Sequence, residues 1–200
     1  IVHYLKFCYH CGRTSYFNNH FMVRNEVLFH QTDLQHYGKW VSSDRTSLAA
    51  DQLRAMKGST SVLEVGSSLE YYFFNIRDYN SNAFKVAPFI GLGVRWVLFS
   101  PTASSSMGEL NTEETTPKKY FNAFKTDSGT AFSLVANAGF RYKLTERSDL
   151  MLETRWHYYT SDWIDGLNPS YENNEMVEVP ENRSNDWMFA INAGYIFYLN

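Results

Sequence analysis

This chain has little net charge, no long apolar run and few cysteines. Its formal net charge is −3 over 200 residues, so it lacks the basic footprint of a nucleic-acid-binding protein. No uncharged apolar run is long enough to form a transmembrane helix. The two cysteines, Cys8 and Cys11, form one CxxC motif without a second pair. A single CxxC is a weak signal for zinc or redox chemistry, so a local disulfide or two thiols are the expected states.

Aromatic residues, by contrast, are abundant. They make up 17% of the chain, with fourteen tyrosines and fifteen phenylalanines, although the mean hydropathy is only −0.38. Low hydropathy with many aromatic residues is compatible with transmembrane strands, in which alternation dilutes the apolar residues. The length suits a single domain over residues 1–200.

Alternation of apolar and polar residues recurs along the chain, whereas helical periodicity hardly appears. In one example, Ile90, Leu92 and Val94 alternate with Gly91 and Gly93. The pattern predicts seven strands, at residues 1–9, 21–30, 61–74, 84–99, 132–142, 150–158 and 187–199.

The connections between these strands alternate in length. Residues 11–18, 75–83 and 145–149 are short connections, and residues 38–60, 100–128 and 163–184 are long ones. Short periplasmic turns and long extracellular loops are typical of transmembrane barrels in the bacterial outer membrane. If the C-terminus is periplasmic, every long loop is extracellular. We therefore predict an all-β, antiparallel up-and-down transmembrane barrel of about eight strands, with the first strand upstream of Ile1, because such barrels have even strand numbers.

Two further features support this orientation. The end of the chain matches the assembly signal that the final strand of an outer-membrane barrel offers to the barrel-assembly machinery, at Asn192, Gly194, Phe197 and Leu199. Tryptophans fall near the predicted outer strand ends, where amphipathic rings favour the membrane interface. These interfacial aromatics are Trp40, Trp96, Trp163 and Trp187.

The polar faces of the strands carry a nearly balanced set of charges. In a narrow barrel these side chains must pair with one another, because an unpaired buried charge is costly. Eight strands enclose an interior that side chains just fill, so we expect a salt-bridged plug rather than a pore. The predicted network is Arg24, Glu26, Glu64, Glu70, Arg95, Arg141, Glu153 and Arg155.

Other roles for individual residues stay open. His157, Ser161 and Asp162 lie close together in sequence, as do Asp33, His36 and Ser42, which supplies the residue types of a rim enzyme without fixing their geometry. We expect His157 to bond within the interior plug, and we predict no catalytic residue, metal or cofactor.

The outer loops suggest two local features. Residues 47–56 have helical propensity and are expected to cap the barrel mouth or form a docking surface. The third long loop is acidic, and oxygen-rich loops can hold calcium. Asp162, Asp165 and Asn168 are the residues available for such a site, although without EF-hand spacing a solvated loop is the favoured interpretation.

Several stretches resemble a known family. Residues 52–60, 142–145, 148–169 and 185–199 resemble small outer-membrane β-barrels of Bacteroidota, chiefly flavobacteria. The chain is similar, more distantly, to the PorG-type barrel of the type IX secretion system. The resemblance implies a membrane-embedded accessory or scaffold subunit without catalytic residues.

We therefore expect a non-enzymatic barrel in the bacterial outer membrane. Its partners would be the lipid bilayer, lipopolysaccharide, the barrel-assembly machinery and other envelope proteins. A narrow channel or ligand-binding barrel is the alternative, and a rim enzyme acting on lipid or peptide is a third hypothesis.

Overall fold

A computed structural model describes residues 2–4, 16–81, 83–167 and 185–198. In it, seven strands form one antiparallel sheet whose order in space is their order in sequence. The strands are β1 (Val2–Tyr4), β2 (Phe21–Gln35), β3 (Met56–Tyr72), β4 (Val86–Ser105), β5 (Gly129–Thr145), β6 (Ser148–Tyr159) and β7 (Trp187–Phe197). The prediction of an all-β, up-and-down fold is confirmed.

The sheet curls until strands far apart in its order face each other. Arg24 on β2 lies 2.8 Å from Glu153 on β6, and Arg155 on β6 lies 2.9 Å from Glu26 on β2. Within the described residues, β7 pairs with β6 and with no other strand. The predicted eighth strand lies outside these residues.

Three strands extend further toward the long loops than the alternation predicts. β2 continues to Gln35, β3 begins at Met56 and β4 continues to Ser105, with register pairs Gln35–Lys57 and Met56–Ser105. The predicted limits at residues 30, 61 and 99 were therefore too short. In these extensions polar and small residues occupy both faces, so the alternation disappears while the backbone ladder continues.

Short helices occupy the connections. They are α1 (Tyr16–His20), α2 (Leu48–Ala55) and α3 (Ile76–Asn80), and a 3₁₀ turn covers Lys118–Tyr120. The helix predicted in the first long loop is confirmed as α2. Ser47 caps it by accepting a hydrogen bond from the backbone N–H of Ala50 at 3.3 Å, which satisfies one free donor of the first turn. None of the helices in the described ranges is both long and apolar enough to cross a membrane.

Two apolar clusters lie inside the curled sheet, one toward each end. We call the end with the connections 36–55, 106–128 and 160–186 the loop end, and the opposite end the turn end. The turn-end cluster contains Met22, Tyr72, Ile76, Tyr79, Ala87 and Phe89. The loop-end cluster contains Val62, Val97, Phe99, Ala131, Tyr159 and Ile164.

Candidate functional site

The enclosed face of the sheet carries a network of ion pairs centred on Arg24. Its Nε lies 2.9 Å from Glu70 Oε1, and its Nη2 lies 2.8 Å from Glu153 Oε2. Arg141 reaches the other oxygen of Glu70 at 3.0 Å. These four side chains come from four different strands and are at most 5% exposed, so the network joins the curled sheet across its interior.

A second part of the network converges on Glu26. Its two carboxylate oxygens bind Arg95 at 2.6 Å and Arg155 at 2.9 Å. Arg155 also bonds Glu153, which links this part to the first. Removing one member of such a buried set costs more than removing a surface ion pair, because the remaining charge is left uncompensated.

Glu64, the eighth predicted member, pairs differently from expectation. It accepts a hydrogen bond from the Tyr159 hydroxyl at 2.8 Å, and its other oxygen lies 3.1 Å from His157 Nδ1. The register explains the difference, because Leu28 and Val97 flank Glu64 on the neighbouring strands. The expectation that all eight charges pair among themselves was therefore wrong for Glu64.

Glycines on the inward face of β4 make room for the large charged side chains. A Cβ atom at Gly93 would lie 2.3 Å from Ser68 Oγ and 2.9 Å from Arg95 Nη1, which real Cβ atoms do not tolerate. Arg95 also donates a hydrogen bond to Ser68 Oγ at 2.8 Å. Gly93 therefore provides the space in which the Arg95 guanidinium is held.

The ionic network is sandwiched between the two apolar clusters. Along β3 the inward positions run from Tyr72 in the turn-end cluster, through Glu70 and Glu64, to Val62 in the loop-end cluster. α3 contributes to the turn-end cluster. Lys143 Nζ donates hydrogen bonds to the carbonyls of the last two residues of α3. Among the described residues, the interior is thus packed with side chains at both ends.

The outward face is apolar where the inward face is charged. Val27 is 72% exposed, Leu92 70% and Ile191 69%. Large exposed side chains of this kind recur on β2 to β7. The distribution is the reverse of an ordinary aqueous barrel, which places apolar residues inside.

The predicted interfacial tryptophans occupy three different environments. Trp96 and Trp187 are exposed on the outward face of their strands. Trp40 is also exposed but lies in the first long loop, between Lys39 and Arg45, whose cationic groups approach its ring. Trp163 packs against the loop-end cluster, so it lies at the predicted end of the sheet but contacts the interior.

The C-terminal assembly signal is only partly described. The Asn192 amide faces Glu153 with an N···O distance of 3.4 Å, and Gly194 lies against Met151. Phe197 is exposed on the outward face. Leu199 lies outside the described residues, as do Cys8, Cys11 and Asn168.

The residues named for a rim enzyme contact groups outside their own sets in the described part of the chain. His157 is fully buried against Glu64 and Tyr159. The Ser161 hydroxyl instead accepts a hydrogen bond from the Trp163 backbone. In the other group, the Ser42 hydroxyl donates to Asp44. The sequence prediction that His157 bonds inside the plug agrees with this geometry.

Two carboxyl groups at the loop end have raised pKa values. Burial, followed by the charge of Asp165, raises the pKa of Asp186 to about 7. Burial is also the main cause that raises the pKa of Asp165 to about 6, with Asp162 adding to it. Asp186 accepts a hydrogen bond from the Ile164 backbone at 2.9 Å. Within the described residues, no group of three or more His, Cys, Asp or Glu side chains is placed to hold a metal ion.

Comparison with known proteins identifies one family. The family model described as "Domain of unknown function (DUF6089)" matches residues 29–198, which spans all the long strands except the first residues of β2. No curated protein and no solved structure matches the chain.

Proposed function

Because the chain belongs to the DUF6089 family, whose description gives no activity, we propose a function from its geometry and its sequence resemblance. The protein is a transmembrane β-barrel of the bacterial outer membrane, with its C-terminus in the periplasm. It is not an enzyme and acts as an accessory or scaffold subunit of an envelope assembly. The similarity to the PorG-type barrel makes type IX secretion the process to test first.

The observation that carries this proposal is the reversal of polarity across the sheet. Charged residues such as Arg95 and Glu70 are fully buried on the enclosed face, while Leu92 and Ile191 are exposed on the outward face. Bilayer hydrocarbon suits an apolar outer surface of this kind. An apolar surface of this extent is otherwise rare on a monomeric protein in water.

A narrow channel is the second candidate, and the packing of the interior argues against it. The charges lie between the two apolar clusters, and α3 adds Ile76 and Tyr79 to the cluster at the turn end. Ions would have to displace these side chains to pass. The expected result is no steady conductance when the purified protein is added to planar bilayers, and resolved single-channel steps would favour the channel instead.

The first long loop offers a surface for a protein partner. It exposes Tyr37 (77%), Trp40 and Leu48 (57% each) beyond the end of β2. Exposed apolar side chains grouped in a polar loop are typical of interaction sites. α2 itself is fixed in place, because Gln52 donates a hydrogen bond to the Glu113 carbonyl at 2.8 Å.

Native co-purification tests the proposal. The chain carries an affinity tag in its own host, membranes are extracted with mild detergent, and bound proteins are identified by mass spectrometry. We expect the chain in the outer-membrane fraction together with defined envelope proteins. Replacing both Tyr37 and Trp40 with Ser should remove those partners, whereas Met107→Ser, at an exposed apolar residue of the second loop, should retain them. Recovery from the aqueous fraction would contradict the membrane location, and recovery of the barrel alone would contradict the scaffold role.

A further inference from the structure

A cavity of about 220 Å³ lies at the loop end, separate from the ionic network. Its walls include inward residues from the extensions of β2, β3 and β4 and residues of two long loops. The apolar part of the lining is formed by Leu34, Met56, Ala103, Phe124 and Leu167.

The loop walls of this cavity are attached to each other by backbone contacts. Phe124 and Leu167 form an isolated antiparallel bridge, and the Lys125 backbone N–H donates to the Gly166 carbonyl at 2.9 Å. Gly166 has a φ of +80°, and a Cβ atom there would lie 2.8 Å from Pro101 Cβ. The two loops are therefore joined to each other and packed on β4, and together they form one wall of the cavity.

One wall of the cavity carries a carboxylate. Asp165 belongs to the lining, and its Oδ1 accepts a hydrogen bond from the Leu167 backbone at 2.9 Å. Burial and, after it, repulsion by the charge of Asp165 raise the pKa of Asp186. A cation at this wall would relieve that repulsion.

Among the described residues, no basic side chain near the cavity forms an ion pair with Asp165. Burial lowers the pKa of His36, so its imidazole is neutral at neutral pH. Lys57 also belongs to the lining, but its side chain is exposed on the outward-facing side of β3. The Lys125 ammonium lies over the Trp163 ring, 5.2 Å from its centre.

We propose that this cavity binds a small organic amine, in which an apolar or aromatic body fills the pocket and an ammonium group meets Asp165. The volume equals about seven water molecules at ~30 Å³ each. It lies below the range of about 300–1,000 Å³ for drug-sized pockets, so it suits only a small ligand. The inference does not depend on the proposed scaffold role, since the cavity and its charge exist whatever the sheet faces outside.

The test is equilibrium binding to the purified full chain in detergent, measured by calorimetry with 2-phenylethylamine at pH 7.5. The matched uncharged probe is 2-phenylethanol, which has the same shape with a hydroxyl in place of the amine. We expect saturable one-to-one binding of the amine, at least tenfold tighter than binding of the alcohol. Asp165→Asn should abolish that preference, and Ala103→Phe, which fills the cavity, should abolish the binding of both probes.

Two control variants separate the site from general effects. Asp127→Asn removes an exposed acid of the second loop, and Thr130→Phe adds the same bulk at an exposed position of β5; both should bind like the parent protein. Circular dichroism confirms the strand content of every variant. Absence of saturable amine binding, equal binding of the alcohol, or an unchanged affinity in Ala103→Phe would overturn the proposal. Loss of envelope partners in co-purification would contradict the scaffold role but not the binding of an amine in this cavity. The two proposals can therefore be refuted independently.

Discussion

At the scale of single residues, the buried carboxylates connect strands that do not pair with each other. Glu70 on β3 bonds Arg24 on the neighbouring β2 and also Arg141 on β5, which pairs with neither β2 nor β3. It also accepts a hydrogen bond from the Tyr72 hydroxyl at 2.8 Å. The backbone ladder cannot make such contacts across the interior. The ion pairs therefore set how tightly the sheet curls, in addition to their contribution to stability.

Glu70→Gln should destabilise the fold strongly, because it leaves the buried Arg141 guanidinium without its carboxylate partner and removes one of the carboxylates that bind Arg24. The expected loss in unfolding free energy is about 3–5 kcal/mol. Urea unfolding in detergent micelles, followed by tryptophan fluorescence, measures it. Glu146→Gln, at an exposed position of the turn between β5 and β6, is the control and should change the midpoint little. Equal midpoints for the two variants would mean that the network carries no net stability.

The paired acids at the loop end should make stability depend on pH. The pKa values of Asp165 and Asp186 are raised in the folded protein to about 6 and about 7, so the folded state favours their protonated forms. This stability is present in full below the ordinary carboxyl pKa near 4 and is lost as the pH rises through 6 and 7.

Asp186→Asn should therefore flatten the pH dependence, because an amide oxygen can still accept the Ile164 hydrogen bond without carrying charge. In the parent protein we expect a loss of about 1–2 kcal/mol in unfolding free energy between pH 5 and pH 8, discounted for partial solvation. Unfolding midpoints across this range, corrected to free energies, measure it. If Asp186→Asn kept the full pH dependence of the unfolding free energy, that dependence would have to come from other groups.

At the scale of secondary-structure elements, α3 closes the turn end of the interior. It supplies Ile76 and Tyr79 to the apolar cluster. Lys143 on β5 donates hydrogen bonds from Nζ to the carbonyls of Tyr79 and Asn80, at 2.9 and 3.0 Å. A cation at a helix C-terminus satisfies carbonyls that have no partner within the helix. A single side chain thus fixes the closing helix.

Lys143→Met should release α3 while leaving the strands paired. The methionine keeps the apolar stem but leaves the two carbonyls without their donor, which costs about 1–3 kcal/mol. Hydrogen exchange read by mass spectrometry should show faster exchange in the peptide that covers residues 76–81 and unchanged protection of β4 and β5. Lys85→Met removes an exposed lysine near the same end and should leave α3 protected. Uniform loss of protection along the chain would instead mean global destabilisation.

The elements differ in how far the sequence predicts them. The centre of β4 was predictable because Leu92 and Val94 alternate with Gly93 and Arg95, and the structure keeps these faces apart. The extension of β4 to Ser105 was not, because its last residues are small or polar on both faces. The same holds for the position of Trp163, which depends on packing between a loop and the interior rather than on alternation.

The partners of the buried charges could not be predicted from the sequence either. Alternation assigns Glu64 and Arg24 to the same face, but their neighbours depend on the register between strands and on which strands meet across the interior. Register pairs Glu64 with Leu28 and Val97, which leaves His30, His157 and Tyr159 as its partners. Histidines on the charged faces of β2 and β6, His30 and His157, were the signals in the sequence, and they indicated the correct side without indicating Glu64.

At the scale of the whole molecule, the reversed polarity gives opposite expectations for a membrane protein and for a protein in water. Placing an arginine on the outward face costs about 2–4 kcal/mol at the middle of a bilayer and about 0–1 kcal/mol near its interfaces. In water the same substitution at an exposed position is nearly neutral and improves solubility. β4 offers a matched pair of sites, since Leu92 and Thr102 are both exposed on its outward side.

Leu92→Arg should therefore destabilise the protein in lipid by about 2–4 kcal/mol, whereas Thr102→Arg, beyond the apolar residues of the same face, should cost less than about 1 kcal/mol. Reversible unfolding from phospholipid vesicles in guanidinium chloride, followed by tryptophan fluorescence, compares the two variants under the same conditions. Because both sites lie on one face of one strand, the difference between the two unfolding free energies cancels the effect of an arginine on the strand itself. Equal free energies, or a Leu92→Arg variant that remains folded in buffer without detergent, would show that hydrocarbon does not surround the outward face. The membrane location and the scaffold role built on it would then both have to be abandoned, while the buried ion pairs would still hold the sheet in its curled form.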